Sequence, residues 1–298
     1  MEELLDSAAP DPARGEPIIV VEYTDPYSVW CWGCEPAVRR LEYRYAGQVE
    51  IRTVMGGLFE DFTPMRDYWS RMSGGRWKDA VHTFLSAVAG QHGMPSNVGG
   101  MMETMDAFRS TWPACIAVCA ATKQGEGARR TYLRRIREAV QLEGRDIGQR
   151  ETQLAIAIEN GLDGGAMAEA LEDGSALAAF RKELTECQLR GVTGFPSFDV
   201  GSLEASVRLE GFRTWEAMDE EVLRIAPGLT PRQTPPTGPG ILSVLRHFGR
   251  SAAREVAAVL NLMDDDAEIL LEELEAEGRV RRLVFGPAVL WDLVADRK

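Results

Sequence analysis

No apolar run in this 298-residue chain approaches the roughly 20 residues that cross a bilayer. The best candidate, Ile18 to Tyr23, is only strand length. A basic leader is missing too. The first sixteen residues (MEELLDSAAPDPARGE) carry five acids against one arginine, and no apolar stretch follows of the kind a secretory signal needs. These absences give the expectation of a cytoplasmic protein with no membrane partner. Histidine is scarce, at 3 residues. His82, His92 and His247 have no ligand spacing to one another or to a cysteine pair, so no metal site is expected. The 5 cysteines are odd in number and too few to staple a chain this long. One close C-x-x-C pair instead suggests redox or metal chemistry. Positive charge is also short: 33 Lys+Arg stand against 46 Asp+Glu, a net charge of −13. Such a chain repels phosphate backbones, and no nucleic-acid partner is expected.

The length fits one large domain or two ordinary ones, at roughly 100–200 residues each. Residues 1–16 read as a disordered acidic tail. PIIVVEY (Pro17–Tyr23) is rich in β-branched residues and reads as a strand buried on both faces. TDPYS (Thr24–Ser28) is turn chemistry that can cap a helix, and helical spacing runs from about Ser28 to Tyr45. A second strand follows at Val49–Met55. From about 62 to 189 the chain reads as helices only: Met65–Met72, Arg76–Gly90, Met101–Gln124, Arg129–Glu143, Arg150–Asn160, Ala166–Leu171 and Leu177–Leu189. GVTGFP (Gly191–Pro196) is a turn, Ser197–Val200 and Ser206–Gly211 form a hairpin, and Phe212–Ile225 closes the unit. Residues 227–240 hold five of the fifteen prolines and read as a stiff linker after a first domain of 17–226. Beyond it, 241–298 reads as three short helices and two strands, a winged-helix pattern.

The order β-α-β, helical insert, Pro turn, β-β-α is that of a thioredoxin fold. The phrases EYTDPYSVWCWGCEP and GVTGFPSF, with the large insert, resemble DsbA-like thiol oxidoreductases, and within them the cytoplasmic FrnE-like group and related protease-adaptor proteins. VMGGL, GMP and GRDI are further family-like phrases, and the resemblance covers roughly 17–226. The fold class expected is therefore α/β, a thioredoxin fold with a large helical insertion, plus a small C-terminal winged-helix-like α+β domain. The resemblance implies a cis bond at Phe195–Pro196. It also implies a buried carboxylate at Glu22 near the resolving thiol, and an insert that covers the active site.

The physical logic of such a site is plain. A cysteine at a helix N-terminus meets unpaired N–H groups and the positive end of the dipole, and both favour the thiolate. A second cysteine one turn on resolves the mixed disulfide. The direct reading takes Cys31 as nucleophile, with a lowered pKa, and Cys34 as resolver. Trp30, Trp32, Gly33 and Phe195 then line the substrate site beside Pro196. The family register differs. Relatives run D-P-x-C-x-x-C-W followed by E-P, so Asp25-Pro26 and Glu35-Pro36 place the nucleophile position at Ser28 and the resolving position at Cys31.

Three readings stay open. Cys31–Cys34 is a displaced working dithiol acting on client proteins with cysteines. Or Ser28 activates glutathione as a co-substrate, as a serine does in kappa-class glutathione transferases and chromene-carboxylate isomerases. Or the redox chemistry is lost and the domain is an adaptor for a protease. No dissociable cofactor is expected in the first. Cys115, Cys119 and Cys187 read as core residues. Met94, Trp69, Trp77 and Phe84 read as a groove over the site or as plain core. Arg129, Arg130, Arg134, Arg135 and Arg137 read as a solvated face paired with nearby acids. Asp264–Gly278, with eight acids and no Lys or Arg, cannot approach DNA. Residues 241–298 are expected to contact protein, in the same chain or in a homodimer partner. Their deletion is expected to spare small-molecule disulfide chemistry.

Overall fold

The computed structural model describes residues 17–201 and 206–294. The expected tail, 1–16, lies outside the described residues. The first strand, β1 (Ile18–Thr24), pairs in parallel with β2 (Val49–Met55) and antiparallel with β3 (Ser197–Gly201). Then β3 pairs antiparallel with β4 (Val207–Glu210), and the sheet order is β2-β1-β3-β4. Because β1 is central, it is buried along nearly all its length, which its unbroken apolar run requires.

The expected single helix from Ser28 to Tyr45 is two: α1 (Val29–Gly33) and α2 (Glu35–Arg44). Pro36 sits in the first turn of α2 and has no N–H to return to the carbonyl of Trp32. The insert holds eight helices: α3 (Thr63–Met72), α4 (Trp77–His92), α5 (Val98–Glu103), α6 (Trp112–Ala121), α7 (Glu126–Gln141), α8 (Arg150–Glu159), α9 (Gly164–Glu172) and α10 (Ser175–Leu189). The expected helix Met101–Gln124 is broken. Residues between α5 and α6 give their backbone bonds to the loop after β2 instead: Thr111 N–H donates to Phe59 and Arg109 accepts from Phe62 N–H. The apolar α6 is wrapped on all sides by α7, α8, α9 and α10, as an all-apolar helix must be.

After β4 come α11 (Trp215–Ile225), α12 (Gly238–Phe248), α13 (Ala253–Leu260), α14 (Asp264–Ala276) and the antiparallel pair β5 (Val280–Phe285) and β6 (Ala288–Leu293). The expected linker is tied down. Arg232 N–H donates to Arg44 O, and Gln48 exchanges hydrogen bonds with Thr230 at both ends of its amide. The last residues of that stretch already belong to α12, with Pro239 in its first turn. Helix α13 packs on α2, and Tyr43 of α2 enters the C-terminal core beside Ile241, Val256 and Leu271.

Candidate functional site

The site is built where β1 ends. Asp25 is fully buried, and its carboxylate accepts the N–H groups of Tyr27 and Leu58 at 2.9 and 2.7 Å. Burial pushes the Asp25 pKa up, and these bonds oppose the rise. The bonds fix the turn that starts α1. Ser28 N–H donates to Asp25 O, and Ser28 Oγ accepts the N–H of Cys31 at 3.2 Å. Ser28 is thus the N-cap of α1 and is 5% exposed. Ser197 pairs with Tyr23, so Pro196 lies at the same end of the sheet as this turn. The Phe195–Pro196 peptide bond is cis.

Cys31 stands inside α1, not at its start, and is 0% exposed. The expectation of a lowered Cys31 pKa is corrected: burial pushes the thiol up to about 11 against the pull of Arg137. The dipole of a five-residue helix acts at Ser28, while the Cys31 sulfur sits in a dry interior where thiolate is penalised. Cys34 occupies the joint between α1 and α2, also at 0% exposure. It packs with Val20, Leu41, Tyr45 and Phe198, its Sγ lies 3.8 Å from Arg213 O, and burial pushes its pKa up as well. All five cysteines are free thiols, and all are buried. Cys115 donates to Asp25 at 3.4 Å, Cys119 lies by Arg129, and Cys187 packs with Tyr23 and Val54.

The remaining expected site residues separate. Trp30 is half-buried, with its ring 5.6 Å from Phe212 and 6.4 Å from His92, and forms the rim of the site. Trp32 requires a correction, because it is fully buried and offers no substrate surface. Its indole N–H donates to Pro95 O at 2.9 Å, and the Arg134 guanidinium lies 4.5 Å from its ring. Met94, Leu142, Ala252 and Leu290 close around it, so Met94 is core as well. Gly33 serves close packing: a Cβ there would come within 2.6 Å of His92. Phe195 is half-buried inside the fold beside Val21 and Val54, and the end of its ring fills the space that a Cβ on Gly56 would need. Trp69 and Trp77 are half-buried over Phe62, and Phe84 is exposed.

Glu22 is buried below Cys31 and paired with Arg137 at 2.9 Å. Arg137 also donates to Glu35 and Thr24. Burial alone would raise the Glu35 pKa, but Arg137, Arg134 and Arg39 pull it to about 2. The arginine row of α7 is therefore not the expected solvated face. Arg129 and Arg137 are buried, Arg134 and Arg135 are mostly so, and only Arg130 is widely exposed. A polar cavity of about 540 Å³ lies between α2, β2, α7 and the end of α12, walled by Glu22, Arg39, Arg137, Glu138 and Arg250.

His92 escaped the sequence reading. It is fully buried, Nδ1 accepts Met94 N–H at 3.0 Å, and Nε2 has no hydrogen-bond partner among the described residues. Burial and the charge of Arg254 push its pKa down to about 4. Among the described residues no group of three His, Cys, Asp or Glu is placed to hold a metal ion.

A family model described as Thioredoxin matches residues 22–220. The ClpXP adapter protein SpxH of Shouchella clausii is 27% identical over 286 residues, covering 94% of this chain and 89% of that protein. Among solved structures, the cytosolic disulfide reductase DsbM from Pseudomonas aeruginosa is 25% identical with a TM-score of 0.54, covering 70% of this chain and 100% of its own. A putative protein disulfide isomerase from Nitrosomonas europaea is 18% identical with a TM-score of 0.58, covering 70% of this chain and 97% of its own.

Proposed function

The chain belongs to the thioredoxin family, and from that premise we propose that it is a protein adaptor that presents clients to a ClpXP-type protease. One observation carries this reading: the N-cap of α1 is a serine, Ser28, and Cys31 and Cys34 are both fully buried. A serine hydroxyl lacks the acidity for disulfide exchange, and here it is occupied in capping α1. The extent of the likenesses supports the same reading. Solved oxidoreductase structures cover 70% of the chain, whereas the adapter relative covers 94%. The C-terminal elements, which we read as a winged-helix-like module for protein contact, then fall within the part shared with adapters. A cytoplasmic setting is part of the same proposal.

A second reading, thiol–disulfide exchange through Cys31 and Cys34, rests on their spacing across α1 and on the likeness to DsbM. It requires α1 to move before either sulfur meets a substrate. Use of glutathione through Ser28 faces a different obstacle, since its oxygen is engaged in capping α1. The test is protein turnover in the native host. Deleting the gene should lengthen the half-lives of a small client set. Deleting it in a strain that lacks the protease should lengthen them no further. Unchanged half-lives would overturn the adaptor reading.

A further inference from the structure

The outer face of the hairpin formed by α3 and α4 is an apolar surface that no other element among the described residues covers. No residue of α3 is fully buried. Met65, Tyr68, Trp69 and Met72 recur at helical spacing along it. Tyr68 is 47% exposed, Met72 is 69% exposed, and Phe84 on α4 is 41% exposed. The Trp69 ring bridges the two helices, 5.6 Å from Phe84 and 5.7 Å from Tyr68. Beneath, Phe62, Val81, Met105 and Phe108 anchor the hairpin, so the face is held by a core and does not hang free.

Its charge is opposite to that of the molecule. From α3 to the end of α4 the cations Arg66, Arg71, Arg76 and Lys78 stand against Asp67 and Asp79, in a chain of net charge −13. Arg66 and Lys78 pair with Asp67 and Asp106. Arg71 and Arg76 are exposed, flank the tip beside Met72, and make no ion pair among the described residues. A strip of Met and aromatic side chains next to unpaired guanidinium groups fits one kind of occupant: an amphipathic helix whose apolar stripe is edged by carboxylates.

We propose that this face docks an acidic amphipathic helix of a partner protein. The proposal goes beyond the adaptor reading and stands whether or not the cysteines exchange disulfides. The partner we commit to is a different protein, whose carboxylates meet the local excess of Arg66, Arg71, Arg76 and Lys78 over Asp67 and Asp79. The chain's own α14 has seven acids, an eighth at Glu277 just past its end, and exposed Met263 and Ile269 at and within it, so a second copy is the occupant to be distinguished.

The full-length protein is titrated into a labelled synthetic helix of about 18 residues with a Leu stripe and Glu elsewhere, and into its Lys counterpart, by fluorescence anisotropy. The Glu peptide should bind, the Lys peptide should not, and raising salt should weaken the complex. Arg71→Glu with Arg76→Glu should weaken it by about tenfold or more, and Met72→Ser should weaken it with no change in salt response. These residues are exposed, so circular dichroism should match wild type. No binding of the Glu peptide, equal binding of both peptides, or binding unchanged in the double variant would overturn the proposal. So would a concentration-dependent dimer in sedimentation that the double variant abolishes, which would give the face to a second copy.

Discussion

At the scale of single residues the decisive position is Ser28. Its hydroxyl closes the first turn of α1, and Ser28→Ala should cost about 1 kcal/mol in urea unfolding, the usual worth of an N-cap. Ser28→Cys puts a thiol on the positive end of α1, one turn from Cys31, and should raise insulin reduction by about tenfold or more over wild type. No gain, with wild type already active, would speak for the Cys31–Cys34 pair. His92 should mark the pH response. Its folded pKa, about 4, lies below the ordinary 6.5, so the unfolded chain takes up the proton first. Stability is full above about 6.5 and is lost as pH falls toward about 4. His92→Gln should flatten that slope in unfolding curves, and an unchanged slope would refute the assignment. Glu35 acts lower still: with its folded pKa near 2 against an ordinary 4.5, its contribution is lost only as pH falls from 4.5 toward 2.

At the scale of elements the helices α2, α7 and α13 are joined by buried ion pairs. Glu255 on α13 is 0% exposed, and it accepts Arg39 at 3.0 Å and Arg134 at 2.7 Å. Glu255→Ala leaves two largely buried guanidinium groups without that partner and should cost about 3–5 kcal/mol in urea unfolding. A loss below about 1 kcal/mol would mean the pairs are structurally idle. This network explains part of what the sequence conceals. Strand β1 is readable from its β-branched run, and β2 and most insert helices from apolar period and Gly turns. The depth of Arg129, Arg134 and Arg137 is not, because an arginine on an amphipathic helix reads as solvent-facing until its carboxylate partners arrive from Glu22, Glu35, Glu183 and Glu255. The break between α5 and α6 is hidden in the same way, since its hydrogen bonds go to a loop some fifty residues earlier.

At the scale of the whole molecule the C-terminal elements and the thioredoxin fold hold one another. The sequence shows the motif run 24–36, with Cys31–Cys34 as its direct reading and Ser28–Cys31 as the register that the family resemblance implies. It does not show that Ala252 and Leu290 roof Trp32, or that Tyr43 belongs to the C-terminal core. Truncation after residue 226 therefore should not leave a neutral remainder. It uncovers Trp32 and Tyr43, and dye binding to exposed apolar surface should rise with a fall in melting temperature. A truncated chain that melts like the full one would refute this coupling. The central claim is that the fold serves as a platform whose thiols are core residues. It is tested most directly by trapping the thiols of the full-length protein across glutathione ratios from reducing to oxidising, with mass readout. Cys31 and Cys34 should remain reduced and unmodified throughout; a reversible two-electron transition linking the two would overturn the adaptor reading.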